Sequence, residues 1–278
     1  MNQRPGITYR KINGFSLQGL RNWALLFALC GVVGDFILGR FLIPYYGDAV
    51  PEWMEPVAAI TSVLYYCGIP LFAYLLVQGF CHTSSLKNYA LRVAGVAILA
   101  EIPFNMAKIG TVFGAFTYSG GIRFDLKSFS LNPIFGILLA MVVLYLFRYC
   151  HGTSLKNVVL RLFIWFMAYL WAGMLRIEDA NILLTIVPVV YLFRRKKGLQ
   201  ILFGCIATFL TIVFFISSPD DPGNFTASVG SCIAPLTFLM IHFYNGEQGD
   251  GRRVVNYLTY PAMLLAAGLL RFFGAYIF

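Results

Sequence analysis

The chain has 278 residues, of which 59% are apolar and 12% charged, with a formal net charge of +9 and a mean hydropathy of +0.74. Soluble domains carry about 25% charged residues, so this composition excludes an ordinary water-soluble fold and points to a membrane protein. No basic patch is interleaved with aromatics as nucleic-acid binding would need; the positive excess reflects membrane topology and anionic lipid, and no nucleic-acid partner is expected.

A helix needs roughly 20 apolar residues to cross a bilayer. Taken in order, the apolar runs predict nine spans, at about 23–45, 55–79, 88–109, 130–148, 156–175, 180–194, 200–217, 227–244 and 256–277. The sixth is short and the fourth opens beside a proline. The first run has no small-residue cleavage site and is long enough to span, so it reads as a helix and not as a removable leader. Residues 110–129 form a Gly- and aromatic-rich loop suited to the membrane interface or to covering a site, and 217–226 an acidic turn. The expected fold is one all-helical transmembrane bundle over residues 1–278, without a soluble domain. All six cysteines fall in helices or at cytoplasmic ends, which predicts no disulfide framework, and no His or Cys spacing suits a metal.

Charge placement tests this count. With the N-terminus in the cytoplasm, 15 of the 21 basic residues fall inside, including Arg21, Lys87, Arg92, Arg148 and the run Arg194–Lys197. Glu178, Asp179 and most other acids fall outside. Basic residues favour cytoplasmic loops, so the predicted orientation is N-inside, C-outside.

One segment occurs twice: Cys81–Arg92, CHTSSLKNYALR, and Cys150–Arg161, CHGTSLKNVVLR, agree at eight of twelve positions. Both copies lie on the cytoplasmic side, where the start of a helix with Lys and Arg nearby suits a phosphate. His82, Lys87, Arg92, His151, Lys156 and Arg161 are therefore candidate ligands for an anionic co-substrate; the plainer reading is a pair of topology anchors.

Ionisable residues inside a span are functional candidates by default. Asp35 and Glu101 each lie about 13 residues beyond a cytoplasmic helix start, roughly 20 Å deep at 1.5 Å per residue. If their helices adjoin, the two carboxylates could share a proton and act as a general acid/base pair; the alternative is structural hydrogen bonding. Arg40 is five positions from Asp35, which on a regular α-helix turns it to a different face. Asn132 opens the fourth span and either caps it or faces a cavity. Arg271, near the outer end of the ninth span, is expected to snorkel.

The stretch Ile69–Asn105, IPLFAYLLVQGFCHTSSLKNYALRVAGVAILAEIPFN, resembles the TraX family, whose pattern runs roughly PxFAFLLVEGFxHT, a basic loop, then EIPFD. Asn132, YLFRRKKGLQ at 191–200, FYNGEQG at 243–249 and NYLTYP at 256–261 follow in family order. The resemblance implies a polytopic bacterial inner-membrane acyltransferase that takes an acetyl group from acetyl-CoA (or another acyl-CoA) to a pilin, with catalysis expected at Asp35, Glu101 and Asn132. Peptide or glycan acceptors and membrane lipid are the other expected partners. The family pattern has Asp-His where this chain has Asp35-Phe36, and a His after the YP where Ala262-Met263 stand; Gln78 and Asn105 replace acids. These replacements favour a second reading, a catalytically silent relative that binds a partner or assists envelope assembly. A transporter, suggested by the repeat and the membrane acids, is the third.

Overall fold

The computed structural model describes residues 14–110, 115–118, 121–124, 130–150, 152–216, 224–251 and 253–277. His151 lies outside the described residues, as do the 217–223 part of the acidic turn and Arg252.

The architecture is helical. α1 (Leu17–Gly31) starts at Ser16, whose hydroxyl accepts from the Gly19 N–H at 3.1 Å. It continues without a break into a π-helical segment, Val32–Leu42, and the single turn α2 (Ile43–Tyr46). α3 (Met54–His82) and α4 (Leu86–Ile109) follow; Ser85 caps α4, and Gly110 at φ 80° ends it in the left-handed conformation that glycine adopts freely. A two-stranded antiparallel hairpin (Ala115–Tyr118 with Gly121–Phe124) stands in the 110–129 segment. Asn132 and Pro133 then open α5 (Pro133–Phe147), cap and first-turn proline in their preferred places. α6 (Leu155–Met174), α7 (Ala180–Leu192) and α8 (Lys197–Ile216) are regular. The predicted eighth span is broken: α9 (Asn224–Ile233) passes through a 3₁₀ turn at Pro235 into α10 (Thr237–His242). α11 (Arg253–Ile277) closes the chain.

Helix α3 is central, packing on α1, α7, α9 and α10, while α11 lies along α4 and α5 along α7. Glycines allow the closest approach. A methyl at Gly31 would meet the Tyr65 ring, and one at Gly34 would lie 3.1 Å from the Ala58 carbonyl, so α1 and the π-helical segment after it can sit directly on α3. By contrast α6 buries only Ala168 and Ala172 and turns Phe163, Phe166, Leu170 and Trp171 outward. A soluble protein rarely exposes such a face; it suits a helix that faces lipid.

Six helices are long and apolar enough to cross a membrane: Leu17–Ala49, Met54–His82, Leu86–Ile109, Leu155–Met174, Lys197–Phe214 and Val254–Gly274. Three shorter apolar helices, Pro133–Phe147, Ala180–Leu192 and Val229–His242, fall on the fourth, sixth and eighth predicted runs. At 1.5 Å per residue α5 and α7 measure only about 20 Å, short of a hydrocarbon core of roughly 30 Å. The chain is a multi-pass membrane protein with six helices of full spanning length among the described residues.

Candidate functional site

Three acids, Glu101, Glu178 and Asp179, lie where the outer part of α4 meets the starts of α5 and α7. Leu131 and the turn before α7 pair as a short parallel bridge, with Leu131 N–H donating to Arg176 at 3.0 Å and Glu178 N–H to Leu131 at 3.0 Å. That turn is tight: Arg176 and Asp179 both adopt positive φ, 50° and 54°. It brings the Glu178–Asp179 pair beside the starts of both short helices.

Glu101 and Asn132 meet there. One Glu101 oxygen accepts from the Asn132 side chain at 2.7 Å and its backbone N–H at 3.1 Å; the other accepts from Asn105 at 2.9 Å. Asn132, fully buried, also donates to the Ala97 carbonyl at 2.8 Å and caps α5 through the Ile134 N–H at 3.0 Å. Three N–H donors therefore occupy the Glu101 carboxylate, and the cluster joins α4 to α5. Next to it Lys108 donates to Glu178 and, at 2.7 Å, to Ser130. Arg271 donates to the carbonyls of Ala107 (2.8 Å) and Lys108, capping the end of α4.

A cavity of about 200 Å³ opens alongside. Asp35, Arg40, Tyr65, Tyr66, Asp179 and Tyr260 supply most of its polar wall, with Phe36 and Phe104 meeting edge-on at 5.7 Å in its apolar part. Asp35 receives Arg40 Nε on both oxygens, at 3.1 and 3.0 Å. The expectation that Arg40 faces elsewhere fails because Val32–Leu42 is a π-helix: its i→i+5 hydrogen bonding stacks residues five apart over one another. This widened segment is what delivers the ion pair to the cavity. Glu101 is not among the cavity-lining side chains, and the two membrane acids, proposed as sharers of a proton, each have separate partners.

Asp179 was read in the sequence only as an outer-loop charge. Its carboxylate accepts the Tyr65 hydroxyl instead of capping α7. Burial pushes its pKa up from the ordinary 3.8 to about 6; the Tyr65 hydrogen bond and the Lys108 charge oppose this, and Glu178 and Asp35 add to it. The signal missed was an acid directly before an apolar helix together with a Tyr-Tyr pair inside the second run.

The duplicated segments are placed differently. In the first, His82 Nδ1 donates to the Gln78 carbonyl at 2.9 Å, and Arg92 borders an apolar groove between α4 and α11 with Leu91, Leu99 and Leu258. Lys87 is exposed. In the second, Lys156 is exposed while Arg161 turns back on the end of α5, donating to the carbonyls of Cys150 (3.0 Å through Nε) and Gly152 (3.2 Å). The five described among the six proposed co-substrate ligands are thus not one constellation: Arg92 lies on α4 against α11, and Arg161 on the peripheral α6.

No curated protein and no solved structure matches the chain. The TraX protein family matches residues 28–271, a stretch that includes both acid clusters, the cavity and both copies of the repeat. The chain belongs to the TraX family.

Proposed function

We propose that this protein is an acyltransferase of the bacterial plasma membrane that moves an acetyl or similar acyl group from acyl-CoA to an amine or hydroxyl of a membrane or envelope substrate, such as a pilin, peptide or glycan. In this reading residues 1–278 form one domain of nine spans, N-inside and C-outside, the three shorter helices completing the count. The observation that carries it is the cavity in which the Tyr65-bonded Asp179 faces the Asp35–Arg40 pair. A carboxyl with a pKa near 6 is ionised at neutral pH yet basic enough to accept a proton. The acceptor N–H or O–H attacks the thioester carbon and its proton passes to Asp179. Collapse of the tetrahedral centre breaks the C–S bond, and the departing thiolate takes that proton. Arg40 offers guanidinium N–H donors to the oxyanion, and Asp35 holds Arg40 in place. Glu101 and Asn132 position α4 against α5.

The test is CoA release by the purified protein in nanodiscs. Turnover with an amine, peptide or glycan acceptor that falls at least about 100-fold in Asp179→Asn supports the reading; no release with any acceptor, or full activity in that variant, defeats it. One observation favours the silent-relative alternative: Phe36, at the family's histidine position, lines the cavity and packs on Phe104. A partner crosslinked to the cavity mouth irrespective of CoA would decide for it.

A further inference from the structure

Two arginines that neither the repeat nor the cavity involves share an arrangement of their own. Arg148, just beyond α5, lays its guanidinium over the Phe80 ring at 4.4 Å and donates to the Phe80 carbonyl at 3.4 Å. Arg194, just beyond α7, lies over the Tyr191 ring at 4.0 Å and donates to the Tyr191 carbonyl at 2.7 Å. Phe80 and Tyr191 are themselves in edge contact, 6.0 Å apart and at 84°. Both rings are buried, with 1% and 8% exposure, so they form a rigid floor under the two cations. Arg148 bonds the Phe80 carbonyl in the last turns of α3, and Arg194 lies over Tyr191, whose ring touches Phe80, so both cations lie at one helix end, next to Cys81 in the chain.

A topology anchor needs charge but no fixed orientation. Here a ring and a carbonyl hold each guanidinium in place, leaving most of its five N–H donors without a partner among the described residues. Among the described residues the ion pairs are Arg40–Asp35 and Lys108–Glu178, so no carboxylate neutralises either arginine. Stacked, forked donors without an internal anion match the tetrahedral oxygens of a phosphate.

We propose that Arg148 and Arg194 form a phosphate-binding site at the end of α3, taking a phosphomonoester or diphosphate group. Two sources carry that chemistry: the nucleotide end of a CoA donor, which rests on the acyltransfer reading, and the headgroup of an anionic phospholipid.

Cys81 is exposed at the end of α3 and reports on the site, whereas Cys232 lies within the apolar Val229–His242 helix, so the control is Cys81 in the SDS-unfolded protein. The full-length protein in phosphatidylcholine nanodiscs is treated with iodoacetamide, and modification of Cys81 is followed by peptide mass spectrometry. Coenzyme A, or phosphatidylglycerol in the nanodisc, is expected to slow modification of Cys81 in the folded protein and not in the unfolded control. Whichever protects identifies the source. Losing the charge-assisted bonds of one guanidinium weakens protection roughly tenfold, so Arg148→Gln with Arg194→Gln abolishes it. The Arg148→Lys, Arg194→Lys protein keeps both charges, and with them insertion and folding, but loses the planar fork; it is expected to need roughly ten times more ligand for equal protection. The site is overturned if neither probe protects Cys81, if the Gln protein is protected like the parent, or if the Lys protein matches the parent. Turnover is assayed on the same samples. Arginine-dependent protection without turnover keeps the site and removes the acyltransfer reading; turnover with arginine-independent protection does the reverse.

Discussion

The two ends of this bundle use arginine in opposite ways. At the cavity, Arg40 is paired with Asp35, and Arg271 caps the carbonyls that end α4. At the end of α3, Arg148 and Arg194 rest on aromatic rings, and among the described residues no carboxylate pairs with them. Local satisfaction marks the first region, which we propose handles a proton; the unneutralised cation pair marks the second, which we propose takes an anion from outside. Equal residue types therefore carry different chemistry, and the partner decides which.

The strongest break of the cavity side is Asn132→Ala. It removes the α5 cap and strips Glu101 of its Asn132 side-chain donor, leaving the backbone N–H, so stability falls by about 2–4 kcal/mol; unfolding of the purified protein in mixed micelles measures it. Gly31→Ala comes next. Its methyl meets Tyr65, and overpacking of this kind costs about 1–3 kcal/mol, with a rise in pH sensitivity if Tyr65 is pushed off Asp179. The same unfolding assay read against pH sharpens the point. A carboxyl whose folded pKa exceeds its unfolded value binds protons more tightly when folded. Its contribution to stability is complete below about 3.8 and is lost as pH rises through about 6. Asp179→Asn should flatten the profile in that window, and an unchanged profile would remove Asp179 from the site's proton chemistry. The smallest effect is expected for Asp35–Arg40: the two side chains are 49% and 37% exposed, so a double-mutant cycle should return a coupling below about 1 kcal/mol. Any large effect of Arg40→Gln on turnover would then be catalytic and not structural.

The comparison between the repeat copies shows where sequence likeness misleads. Lys87 and Lys156 are both exposed, as matched positions would suggest. Arg92 and Arg161 are not equivalent, because one follows α4 onto α11 and the other closes back on Cys150. The arginines with the geometry of a phosphate site, Arg148 and Arg194, read in the sequence only as inside charges. Phe80 reaches Arg148 from 68 residues away, and although Tyr191 lies only three residues before Arg194, its contact with Phe80 is set by helix packing.

The sequence by itself determined what depends on composition and on neighbours along the chain: the membrane class, the places of the apolar helices, the start of α5 at Asn132-Pro133 and the family. Those properties follow from hydropathy, length and local hydrogen bonding. Only the tertiary structure decided the chemistry of the site. Tyr65 and Asp179 are 114 residues apart, and Lys108 and Glu178 are 70 apart. Asp35 and Arg40, five residues apart, meet only because the first helix widens into a π-helix as it packs on α3. Helix packing brings such partners together, and burial then moves the Asp179 carboxyl to the pKa at which it can accept a proton.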